Sequence, residues 1–97
     1  MKKWINADPH DIVMLKAETN YTVYYFRNGE KYISGFTLKI HEEKEELKSF
    51  IRVNRSHLLN PEHIKKLKTK DKVTRILMSN GVETHVSRRR NPFKTAL

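Results

Sequence analysis

The chain has 97 residues, enough for one small domain with a modest core and too few for two. It has no cysteine, which excludes a disulfide framework, a thiolate nucleophile and a cysteine-based zinc site. Its formal net charge of +9 is unevenly spread, +1 over residues 1–63 (10 basic, 9 acidic) and +8 over residues 64–97 (10 basic, 2 acidic), which calls for a polyanionic partner or, more plainly, a solvated basic end.

The lead-in, residues 1–10, runs into the first strand as "MKKWINADPHD" and has no apolar stretch of signal-peptide length. No run later in the chain is long enough to span a bilayer, so the chain reads as soluble and cytoplasmic, without a membrane partner. The lead-in reads more like a natural start than a domain cut, and a fragment of a longer chain stays open as the alternative.

"DIVMLKAE" opens with an apolar run and predicts a first strand. "YTVYYFRNGEKYISG" holds two β-rich runs around Asn28-Gly29, the strongest short hairpin signal. "FTLKIHEEKEELKSF" changes character: Thr37 can cap a helix over Leu38 to Leu47, whose thin apolar stripe (Leu38, Ile40 or His41, Leu47) suits packing on one edge of the sheet. "FIRVNRSHLLN" alternates like a strand and then breaks into the polar patch Asn54-Arg55-Ser56, and Asn60-Pro61 marks a turn. "HIKKLKTKDKVTRILMS" predicts two strands joined at Thr69 to Lys72, and Asn80-Gly81 predicts a second hairpin with "VETHV". In "HVSRRRNPF" Ser87 is a poor cap, because Pro92 would then fall in the second helical turn and three arginines at the positive end of the helix. Asn91 as cap places Pro92 at the first helical position. A short terminal helix is therefore expected from about Asn91, with Arg88, Arg89 and Arg90 in the preceding turn. The fold class is mainly β.

Catalytic signals are few. The histidines (His10, His41, His57, His63, His85) lack paired metal-ligand spacing, although His10 lies beside Asp8 and Asp11. Three glycines in the whole chain leave no glycine-rich phosphate cradle, and Glu42, Glu43, Glu45 and Glu46 read as a solvated helix face. No enzyme, metal or cofactor is expected. Nucleic acid fits better, because Lys and Arg neutralise phosphates with counterion release and arginine can fork onto guanine. Lys65, Lys66, Lys68, Lys70, Lys72 and Arg75 suit phosphates, while Arg55 and Arg88 to Arg90 could read bases. The tyrosines of the first hairpin (Tyr21, Tyr24, Tyr25, Tyr32) suit a sheet core more than base stacking, which favours duplex DNA over RNA. The alternatives are a small β-rich RNA-binding protein and a protein-interaction module using the acidic helix.

Two separated stretches, "FIRVNRSHLLNPEHI" and "ILMSNGVETHVSRRR", resemble in their order and spacing the signature of the LytTR family, the DNA-binding output domain of many bacterial response regulators. The likeness extends upstream through the tyrosine-rich hairpin and "TLKIHEEKEEL", covering about Ile12 to Leu97. It implies one LytTR-type domain over 1–97, elongated and mainly β, that binds double-stranded DNA sequence-specifically and inserts loops into successive major grooves in transcription regulation. By the same resemblance the DNA contacts fall at Asn20 and Tyr21, at Asn54 and Arg55, and at Arg88, with Lys16 and Arg89 as neighbours, mainly on phosphates; Ser56 of the polar patch and Arg90 of the arginine run are further candidates. A homodimer on repeated half-sites and a regulatory partner protein are further expectations of that kind. Three positions depart from the family pattern: Asn54 replaces its usual histidine, His57 an aromatic residue, and Arg90 a tyrosine. Asn54 could pair with adenine, whereas His57 reads more simply as a neutral, hydrogen-bonded histidine.

Overall fold

A computed structural model describes residues 8–87. Among the described residues, eight strands form two antiparallel sheets. β1 (Ile12–Ala17), β2 (Thr22–Phe26), β3 (Lys31–Ser34), β4 (Ile51–Asn54) and β5 (His57–Leu59) make a five-stranded sheet in the order β3-β2-β1-β5-β4. β6 (Ile64–Lys70), β7 (Val73–Met78) and β8 (Glu83–His85) make a three-stranded sheet in chain order.

The apolar run of β1 is explained by its central place. Ile12, Val13, Met14 and Leu15 are all buried because both faces of this strand are covered. On one side Ile12, Leu15, Tyr24 and Leu58 pack with Leu38, Leu47 and Phe50 of the segment that follows β3. On the other, Val13, Met14, Val53 and Leu59 meet Ile76, Met78 and Val86 from the smaller sheet. The domain thus has three layers with the five-stranded sheet in the middle. Its longest dimension is 46 Å, yet its radius of gyration is 13.3 Å, close to the roughly 12–13 Å of a compact chain this long. The elongated outline expected from the resemblance is therefore corrected to a small, compact body, because stacking the second sheet on the first shortens it.

The predicted hairpins form. Gly29 and Gly81 take positive φ (93° and 89°), and Asn28 and Asn80 each use the side-chain oxygen to accept an N–H two residues on. The β6–β7 turn is only Asp71-Lys72, both with positive φ and neither a glycine.

Two further expectations are corrected. The helix predicted over Leu38 to Leu47 is one short α1 (Leu38–Glu42) followed by a 3-10 turn at Glu45–Leu47, and Thr37 stands at its N-cap without a side-chain cap bond. Glu42, Glu45 and Glu46 would stack like charges at helical spacing, and Lys44 instead takes extended backbone, which swings Leu47 into the core. This segment covers the face of the sheet over β1, not its edge. The second correction concerns "FIRVNRSHLLN", which is not one strand and a patch but a hairpin, β4 and β5 joined at Arg55-Ser56. The expected terminal helix and Arg88, Arg89 and Arg90 lie outside the described residues.

His41, not Ile40, fills the inner face of α1. Fully buried, it bonds the Tyr24 hydroxyl through Nδ1 (2.7 Å) and Ser34 Oγ through Nε2 (2.8 Å), while Ile40 stays exposed. Burial, and then the nearby Lys44, push its pKa down to about 4, and burial pushes the Tyr24 phenol up.

Candidate nucleic-acid interface

Antiparallel pairing brings four segments to one end of the larger sheet. β1 ends beside the start of β2, and the loop between them is closed by the Glu18 N–H donating to Tyr21 O (2.7 Å), which leaves Asn20 and Tyr21 exposed. Across β1 the register sets Lys16 opposite His57, and the Ala17 N–H donates to Ser56 O (2.8 Å). The chain leaving β8 arrives at the same end, where the Ser87 N–H donates to Val53 O (2.8 Å). That bond fixes the point from which residues 88–90 depart.

A buried side chain, Asn54, and a part-buried one, Arg52, hold the Arg55-Ser56 turn. Asn54 is 6% exposed. Its Oδ1 accepts from the Ser56 N–H (2.8 Å) and from His57 Nδ1 (3.0 Å), and its Nδ2 donates to His85 O (2.7 Å) and Thr84 Oγ1 (3.2 Å). An amide oxygen only accepts, so Nδ1 of His57 carries the proton in this arrangement. These bonds make Asn54 a brace between the β4–β5 turn and β8. Arg52, which sequence reasoning passed over as one residue of an alternating strand, is the second brace. Its guanidinium donates to the carbonyls of Asn54 (2.9 Å) and Arg55 (2.7 Å) and pairs with Glu42 of α1. The Arg55 side chain itself is exposed and has no ion pair among the described residues.

At the corner Lys16 pairs with Glu18 and Arg52 with Glu42, which leaves Arg55 as the exposed cation without an ion pair among the described residues. Burial, with Lys16 and His85 close by, lowers the His57 pKa, while Glu18 works the other way. Lys16 is half-exposed and its Nζ lies 3.5 Å from Glu18. Asn20, Tyr21, Lys16, Arg55, Ser56 and His57 therefore share one end, with the departure point of Arg88 beside them. Lys65, Lys66 and Lys68 do not belong to it; all three are exposed on β6 of the smaller sheet. Among the described residues no group of three or more His, Asp or Glu is arranged to hold a metal ion, and no helix is long and apolar enough to cross a membrane.

Comparison with known proteins identifies the fold and the family. The solved LytTr DNA-binding domain ascribed to a methyl-accepting/DNA response regulator of Bacillus cereus is 25% identical and superposes with a TM-score of 0.77, over 90% of this chain and 80% of that one. Comparison with curated proteins found no match. The family model of the LytTr DNA-binding domain matches residues 2–97, which includes every segment that meets at the corner. On that match, and on two stacked sheets that present their loops at one end, this chain belongs to the LytTr DNA-binding domain family.

Proposed function

We propose that this chain, as one domain over residues 1–97, binds double-stranded DNA sequence-specifically in the bacterial cytoplasm and acts in transcription regulation, with the corner facing the duplex. The observation that carries this reading is the convergence at one sheet end of the Glu18 to Tyr21 loop, the Arg55-Ser56 turn and the exit at Ser87. Loops gathered at one end of a rigid scaffold can enter successive grooves, and Arg55 and Arg88 have the forked chemistry that guanine accepts. Lys16, Arg89 and Arg90 supply phosphate contacts, and Asn20, Tyr21 and Ser56 supply polar ones. Asn54 acts here by shaping the turn that presents Arg55.

Duplex DNA is favoured over single-stranded RNA because Tyr24 and Tyr25 are committed elsewhere, which leaves Tyr21 as the exposed tyrosine at the corner. Tyr24 is buried with its hydroxyl on His41, and the Tyr25 ring lies under Lys31 Nζ, 5.5 Å from its centroid. Selection of sites from random duplexes, followed by anisotropy titrations at several salt concentrations, tests the proposal. Steep weakening with salt and a recoverable consensus support it; flat salt dependence, or no binding at low salt, refutes it.

A further inference from the structure

The smaller sheet has two unlike faces. Alternation along the strands turns Thr74, Ile76, Met78 and Thr84 inward, where all are buried, and turns the intervening residues outward. The register shows what lies outward. Lys68 pairs with Arg75, and Arg75 with His85, so three basic residues stand side by side across three strands. Lys66 and Lys70 flank Lys68 on the same face of β6. The only described acid on this face is Glu83, opposite Leu77.

Like charges set directly opposite one another destabilise a sheet, so the arrangement needs a reason. Lysines on an edge strand discourage edge-to-edge aggregation, and β6 is an edge strand. That would account for β6 alone. It does not account for Arg75, which lies on the central strand directly opposite Lys68. Neither Lys66, Lys68, Lys70 nor Arg75 has an ion pair among the described residues, whereas Lys16, Arg27 and Arg52 of the larger sheet and its loops are each paired with a carboxylate.

The row also has a direction. Its His85 end lies at the corner, because Asn54 Nδ2 donates to the His85 carbonyl. From there it runs outward through Arg75 to Lys68. Along β6 the outward lysines recur every second residue, about 6.6 Å apart, and neighbouring strands lie about 4.8 Å apart. This makes a two-dimensional array of basic side chains continuous with the corner.

We propose that the outer face of β6, β7 and β8 is a phosphate-binding surface for the same duplex, extending its footprint from the corner along His85, Arg75 and Lys68. The proposal rests on the DNA reading of the corner and adds contacts that carry affinity and register but not base identity. The test uses the full chain and a duplex carrying its selected site, titrated across a salt series. Wild type is measured first, because absence of salt-dependent binding there overturns the corner reading and this one together. Given binding, Lys68→Gln, Lys70→Gln and Arg75→Gln are each expected to lower the slope of log K against log salt by about 0.9, and the triple variant by about 2 to 3, with base preference unchanged. Lys31→Gln and Lys39→Gln, on exposed positions remote from this face, are expected to leave the slope as it was. Circular dichroism checks that the triple variant is folded, and Lys68→Arg with Lys70→Arg keeps the slope if charge is what matters. A folded triple variant with the wild-type slope overturns the proposal and leaves the corner reading standing.

Discussion

Acidification from pH 7 to pH 4 tests how His41 is held. The imidazole is fully buried between Tyr24 and Ser34, and its pKa is about 4 against 6.5 for the ordinary side chain. Because the folded value is the lower one, the unfolded chain takes up the proton first as pH falls. Stability from this group is therefore intact above about 6.5 and is lost on descending towards 4. The difference corresponds to about 3 kcal/mol, a large share of the 5–15 kcal/mol that holds a typical domain together. At a urea m-value of about 1–1.5 kcal/mol per M, the unfolding midpoint should fall by about 2–3 M across that range. His57, whose pKa is also lowered, adds to the same trend. His10 acts oppositely, since Glu62 raises its pKa, but it is exposed and solvent screens the pair. Urea unfolding followed by circular dichroism at stepped pH, in wild type and His41→Gln, isolates the effect. The variant should lose most of the slope between pH 6.5 and 4. Equal slopes in both proteins would refute the argument that burial of a neutral His41 underlies the acid sensitivity.

Other substitutions separate framework from contact. Asn54→Ala strips hydrogen bonds from the Ser56 N–H, Thr84 and the His85 carbonyl, and should destabilise the fold by about 3 kcal/mol in denaturant titrations. A loss confined to DNA affinity would contradict its role as a brace. Arg55→Ala should leave unfolding midpoints within about 0.5 kcal/mol of wild type yet cost about 1–3 kcal/mol on the selected site, read by anisotropy. Arg88→Ala should show the same cost with relaxed base preference at one position; a uniform loss on all sequences would make it a phosphate contact. Lys72→Gly, at φ 66°, should stabilise the chain by about 1 kcal/mol by relieving left-handed backbone, measured as a rise in the urea midpoint.

Much of the fold is legible because it is local. Asn28-Gly29 and Asn80-Gly81 carry their own turn geometry, and the run from Ile12 to Leu15 announces a strand. What escaped the sequence depends on partners far along the chain. The β4–β5 turn has no glycine or proline; it is made by Asn54, whose anchors Thr84 and His85 come some 30 residues later. Arg52 reads as one residue of an alternating strand until Glu42 and two turn carbonyls surround it. The choice between Ile40 and His41 was open on periodicity, and it is decided by Tyr24 and Ser34, which offer the imidazole two hydrogen bonds. The basic character of β6 and β7 is plain from composition, but only the register sets Lys68, Arg75 and His85 in one row.

The central claim, that the corner faces duplex DNA, is tested most directly by mapping backbone amide shifts on titration with a selected duplex. The account predicts shifts concentrated at residues 19–21, 55–57 and 85–87, with Lys31 to Ile40 unmoved. Shifts centred instead on α1 and the acidic turn after it, or no shifts at all at low salt, would contradict it.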